Sequence, residues 1–191
     1  MYSITPPFLI SLQGGFMGFQ VGDKIIYPNQ GVGEIRGVCS RCVGGQDHNF
    51  YLVELISSQS TVMVPVANVN NVGMRKLCSE AQVKSLFEIL ASDCTEPDPD
   101  WKTRYKINLE KMNSGEVCEV ARVLKNLFLL SFRKSLSFRE KKMFDRARQL
   151  VVSEIATVRR QEFDEALEQV EEILTVSYRQ AGSNGASPVA D

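Results

Sequence analysis

Histidine and tryptophan occur once each in 191 residues, and the five cysteines are an odd number scattered over positions 39, 42, 78, 94 and 118. So little histidine removes most metal and acid–base sites at once. His48 lies in turn-rich sequence with no oxyanion device in view, so a Cys–His nucleophile pair has no support. Cys39-Ser-Arg-Cys42 has the spacing of half a zinc site, but no second pair follows at matching spacing. No metal and no cofactor is expected, and the cysteines read as reduced, mostly packed thiols. No apolar run approaches the roughly 20 residues that cross a bilayer. Met1 to Gly18 holds a short apolar patch, Phe8-Leu9-Ile10, but neither Lys nor Arg, whereas a secretory leader needs a basic start. The expected compartment is the cytoplasm. A Gly-x-x-x-x-Gly-Lys-Ser/Thr loop is missing, as is Gly-x-Gly-x-x-Gly before a helix; Gly31-Val32-Gly33 is a lone pair of glycines between strands. Glu171 and Glu172 are adjacent and point to different parts of a helix surface. The chain does not read as an enzyme.

What is present is a hidden charge asymmetry. The net charge is only −1, yet residues 102–160 hold 15 Lys/Arg against 6 Asp/Glu, a local charge of +9. The preceding residues carry −4 and the following ones −6. A concentrated cationic block suits a polyanion such as duplex DNA; a solvated helical face is the plainer reading. With 43% hydrophobic residues the chain can bury a core, and its length allows one large domain or two small ones.

Two periodicities divide the chain. Val21 to Pro28, Gly31 to Val38, Phe50 to Ile56 and Thr61 to Val66 are short β-branched or aromatic runs, with turn chemistry at Gly44-Gly45-Gln46-Asp47. They predict a small barrel of the SH3 or Tudor kind over residues 19–76. From residue 79 the period becomes helical. Ser79-Glu80-Ala81-Gln82 reads as a capping box ahead of Val83, Leu86, Phe87 and Leu90. Thr95 to Asp100, stiffened by Pro97 and Pro99, leads into a helix with the stripe Trp101, Tyr105, Leu109 and Met112. Asn113-Ser114-Gly115-Glu116 caps the next helix, which buries Val117, Val120, Leu124 and Leu127. Ser137-Phe138-Arg139-Glu140 caps a long helix. One side of it carries Met143, Phe144, Ala147, Leu150, Val151, Ile155 and Val158, and the other carries Arg139, Lys141, Lys142, Arg146 and Arg148. An acidic helix from Gln161 to Tyr178 closes the helical domain, 79–178. Residues 1–18 and 179–191 read as an unstructured extension and a disordered tail. The expected class is α+β, a Tudor-like barrel followed by an all-helical domain.

Phe19-Gln20-Val21-Gly22-Asp23-Lys24-Ile25-Ile26-Tyr27-Pro28 with Gly31-Val32-Gly33 resembles the N-terminal signature of the CarD/CdnL family of bacterial transcription regulators, a module shared with the transcription-repair coupling factor. Trp101-Lys102-Thr103-Arg104-Tyr105-Lys106, Asn108 to Lys111, Ser114-Gly115-Glu116 and Ser137 to Ala147 resemble the helical domain of the stand-alone CarD proteins. The resemblance covers about residues 19–158. It implies a barrel that binds the β subunit of RNA polymerase, partly by edge-strand pairing. Arg41 and Val43 match polymerase-facing positions; Met63 stands where the family often has Arg, a less charged contact. It also implies that the helical domain lies on promoter DNA upstream of the −10 element. There Trp101 would enter the minor groove at the edge of the melted bubble, with Arg104 and Lys106 as basic neighbours. Lys141, Lys142 and Arg146 would extend the DNA face. By itself, Trp101 reads as the head of the apolar stripe. Family members usually begin near Met17, so residues 1–16 have no matching role. The function implied is stabilisation of the open promoter complex; one barrel and one bundle can make a self-sufficient monomer. The alternatives are a nucleoid-type DNA binder without a polymerase partner, and a polymerase-binding repair accessory, disfavoured because no helicase motor is present.

Overall fold

A computed structural model of the chain describes residues 18–92 and 100–184. The extension up to residue 17, the proline loop at 93–99 and the end of the tail lie outside the described residues. Five antiparallel strands, β1 (Lys24–Tyr27), β2 (Gly31–Val43), β3 (Gln46–Leu55), β4 (Thr61–Pro65) and β5 (Arg75–Lys76), form a sheet of order β4-β3-β2-β1-β5. Five helices follow: α1 (Glu80–Ala91), α2 (Trp101–Asn113), α3 (Val117–Arg133), α4 (Phe138–Arg159) and α5 (Phe163–Asn184). The α+β class is as the sequence implies, with one difference. The sheet is barrel-like but not closed, because β4 and the two-residue β5 form its edges without pairing to each other.

The inner face follows the period of two. Ile35, Tyr51, Val53, Leu55 and Val64 are buried with Ile25 and Phe19. Tyr51 also places its hydroxyl 3.3 Å from the Phe19 amide, which donates to it. The Gly44-Gly45 turn has φ of 63° and 82°, the two positive angles that match the twist of a two-residue hairpin. β2 and β3 therefore continue well past the runs the sequence marks, pairing as far as Val43↔Gln46.

The helices start where their caps dictate. Ser79 accepts from the Gln82 amide while the Gln82 side chain accepts from the Ser79 amide, and Ser137 and Glu140 repeat the arrangement. Before α3 the device is looser: Glu116 is the N-cap without a side-chain bond, and the Ser114 hydroxyl accepts from its amide. α3 is the central helix, buried at Val117, Val120, Leu124 and Leu127 and also at Val123, Leu129 and Leu130. Even its Lys125 is covered, its ammonium donating to the carbonyls of Ile89 and Ser92 at the end of α1. α5 runs to Asn184, past the predicted stop at Tyr178, since no proline interrupts its hydrogen-bond ladder before Pro188.

The sheet core and the helical core are separate clusters. Between them lies a seam in which the buried Ile26 and Val32 stand near Leu150, clasped by polar bonds. Arg75 of β5 sends two guanidinium nitrogens to the two carboxylate oxygens of Glu154 on α4, at 2.6 and 2.9 Å, and its Nε to the Gly115 carbonyl at 2.8 Å. The Cys78 amide donates to the same carboxylate at 2.9 Å.

Candidate functional site

The sheet presents a candidate surface on the side away from its core. Register places Gly37, Leu52 and Met63 in one row and Cys39, Phe50 and Pro65 in the next. Arg41↔His48 and Val43↔Gln46 follow along the hairpin. Directly opposed residues share a face, so Arg41, Val43 and Met63, predicted separately, lie on one surface with Cys39, Phe50 and Leu52. Val43 is 55% exposed. β1 pairs with β2 only as far as Glu34, and β4 ends opposite Phe50. The last turns of the β2–β3 ribbon thus project as a two-stranded arm with both backbone edges open. Cys39 and Cys42, three apart on one continuous strand, are free thiols on opposite faces.

The second surface gathers at the N-terminal ends of α2 and α4. Asp100 caps α2, its carboxylate accepting from the Lys102 and Thr103 amides at 3.3 and 3.0 Å and from the Thr103 hydroxyl at 2.6 Å. Those bonds hold the carboxyl below its ordinary pKa, the Thr103 hydroxyl contributing most. Trp101 is the first residue of the helix and is 55% exposed, with the Lys102 ammonium 5.8 Å from its ring centroid. The buried side of α2 is Arg104, Asn108 and Met112. The predicted stripe is therefore corrected: Trp101 and Leu109 face outward, and Trp101 is not a core residue.

Arg104 is drawn inward. It is 5% exposed, and its Nε and Nη2 donate to one oxygen of Glu140 at 3.2 and 2.7 Å. The other Glu140 oxygen accepts from the Ser137 amide and hydroxyl at 3.0 and 2.7 Å. Burial pushes the Glu140 carboxyl up, but the bonds from Arg104 and Ser137 outweigh it and hold the pKa at about 2. The pair ties the first turn of α2 to the first turn of α4.

Arg146 is also drawn inward. It is partly buried and donates to the Asn29 carbonyl in the β1–β2 turn, and burial lowers its pKa. Arg148 pairs with Asp145 and Glu171, Arg122 and Lys111 with Glu119, and Arg159 with Glu80. Several cations of the block are thus engaged in pairs within the chain, most of them at its surface. Lys102 and Lys106 stay exposed on α2, and Arg139, Lys141 and Lys142 stay exposed on α4. Among them stands Phe138, 76% exposed, with the Lys142 ammonium 5.4 Å from its ring. Sequence reasoning treats Phe138 as part of a cap. An aromatic at the first position of a helix, outside the apolar stripe of α4, is the signal available.

Comparison with known proteins divides the chain as the fold does. Residues 19–78 match the CarD-like/TRCF RID domain and residues 85–171 the CarD C-terminal domain. YdeB of Bacillus subtilis (strain 168), a candidate transcription factor, is 30% identical over 141 residues, covering 74% of this chain and 92% of that protein. The chain belongs to the CarD family. Among solved structures, CdnLNt from Myxococcus xanthus is 39% identical over 35% of this chain and 97% of its own, with a TM-score of 0.29. Membership makes this a transcription-regulation protein of a family with an RNA-polymerase-interacting module. No described helix is long and apolar enough to cross a membrane.

Proposed function

We propose that this protein binds the β subunit of RNA polymerase through the outer face of its sheet and stabilises the open promoter complex with Trp101. The observation that carries the reading is a half-exposed tryptophan at the first position of α2, flanked by exposed lysines. A flat aromatic can wedge against a distorted base step in the minor groove, while Lys102, Lys106, Lys141 and Lys142 hold backbone phosphates. Arg41, Val43 and Met63 supply side-chain contacts to polymerase, and the open edges of the ribbon can add a strand of the β subunit. Polymerase then places the protein upstream of the −10 element, and the DNA is read by shape. The protein works as a monomer in the cytoplasm, associated with the nucleoid through polymerase, without metal, cofactor or catalysis. Co-purification with polymerase, followed by open-complex lifetimes with and without the protein, tests the reading. Retention of β and a longer lifetime are expected. Duplex binding without polymerase retention would favour the nucleoid-type binder instead.

A further inference from the structure

Two Arg–Glu pairs with buried carboxylates share one helix. Glu140 and Glu154 are both on α4, 14 residues or nearly four turns apart, so they lie on roughly the same side and about 21 Å from each other along the axis. Each is at most 7% exposed. Glu140 grips Arg104, one turn beyond Trp101; Glu154 grips Arg75, in the edge strand of the sheet. The connection from β5 to α1 is only residues 77–79, and the Cys78 amide donates to Glu154 as well. Beside the clasp, side chains pack directly onto glycine backbone. A Cβ on Gly31 would lie 3.3 Å from Leu150, and one on Gly115 would lie 3.5 Å from Pro28. Asn29 donates to Asn113 across the same seam at 2.6 Å.

These contacts have a common character. The apolar cores on either side are separate, and the buried Ile26 and Val32 line the seam with Leu150; apolar contact is not directional, so the angle between the sheet and the bundle is set by the polar bonds. A buried ion pair is a weak source of net stability, because desolvation offsets the attraction, but it can specify one geometry. A bidentate Arg–carboxylate fork is the most orientation-demanding of such pairs.

We propose that α4 is a rigid spacer pinned at both ends, and that Arg75 and Glu154 are positioning residues that hold Trp101 at a set distance and direction from the polymerase-facing sheet. The proposal rests on the function above: it matters only if one surface is docked on polymerase while the other engages DNA. With the clasp loosened, each surface keeps its own affinity, but the two can no longer be engaged together in register.

The test uses the full chain with Arg75→Gln and Glu154→Gln together, a neutral amide pair that leaves no unpaired buried charge. Expected are retention of the β subunit and duplex affinity both within twofold of wild type, a larger radius of gyration by small-angle scattering, and an open-complex lifetime at least tenfold shorter. If the lifetime is unchanged although scattering shows a loosened seam, the positioning role is overturned. If both binding steps decline along with the folded fraction, the clasp is merely structural and the proposal fails. Arg75→Lys, which keeps the charge but not the fork, is read in the same assays should the double variant not fold: a wild-type lifetime there overturns the proposal, and a shortened one with intact binding supports it. The wild-type lane separates the layers. Wild-type protein that neither retains polymerase nor lengthens the lifetime removes the functional reading itself.

Discussion

Arg104→Ala should unfold this protein early rather than weaken its contact with DNA. In the native fold all the capacity of the Glu140 carboxylate is taken, one oxygen by Arg104 and the other by Ser137. Removing Arg104 strands a buried carboxylate on one side. Breaking a buried pair this way costs about 3–5 kcal/mol, a large share of the roughly 5–15 kcal/mol that holds a domain together. At about 2–4 °C per kcal/mol for a chain of this size, the melting temperature should fall by roughly 6–20 °C. Acid titration gives a second handle. With a folded pKa of about 2 against an unfolded value near 4.3, Glu140 contributes stability that is fully present above the unfolded pKa. It is lost as pH falls through the folded one, a contribution of about 3 kcal/mol. Wild type should therefore lose stability between about pH 5 and pH 2, and much of that slope should vanish in Arg104→Ala. Scanning calorimetry and urea unfolding at a series of pH values read both effects. A variant that melts like wild type but binds duplex DNA several-fold more weakly would refute the buried pair and return Arg104 to the DNA surface.

Other expectations follow from the same geometry. Arg41→Glu should sharply reduce capture of the protein by an isolated polymerase β lobe while leaving the melting curve unchanged; undiminished capture would take Arg41 out of the interface. Replacing Lys141 and Lys142 by Ala should flatten the salt dependence of duplex binding by up to about 0.9 in log–log slope for each phosphate no longer neutralised, whereas Arg146→Ala should leave that slope nearly unchanged and lower stability instead. Cys78 has its thiol pushed up to about 12, by burial first and then by the Glu154 carboxylate. It should resist iodoacetamide in the native state at pH 8, while the exposed Cys42 reacts; equal labelling of the two would mean that the seam around Glu154 is open.

Much of the fold is legible in the sequence because its signals are local. The capping boxes at Ser79 and Ser137 and the apolar face from Met143 to Ile155 are written within a few residues of where they act. β5 is not legible, because two residues carry no periodicity; only their partners Ile25 and Ile26 make them a strand. The reach of the ribbon escapes for a related reason, since the polar residues between Val38 and Phe50 give no alternation once both faces are solvated. The site is harder. Trp101 is found through resemblance, and its exposure corrects what periodicity implies: α2 buries a polar row, Arg104 and Asn108, and leaves its aromatic outside. Nothing in a window around Arg104 says that it meets a carboxylate 36 residues away. A cation looks like surface until its partner is known, and so the exposed cations gather in the first two turns of α2 and α4.

The central claim stands or falls on Trp101→Ala. Because the indole is 55% exposed, its truncation should cost little stability, within about 1 kcal/mol, and polymerase retention should not change. The wedge that resists reannealing would be gone, and a contribution of even 1.4 kcal/mol to that barrier corresponds to about a tenfold shorter open-complex lifetime. A variant that melts and binds polymerase like wild type while its open complexes decay about tenfold faster is the predicted result. One that is equally stable, equally bound to polymerase and supports wild-type lifetimes would contradict the account.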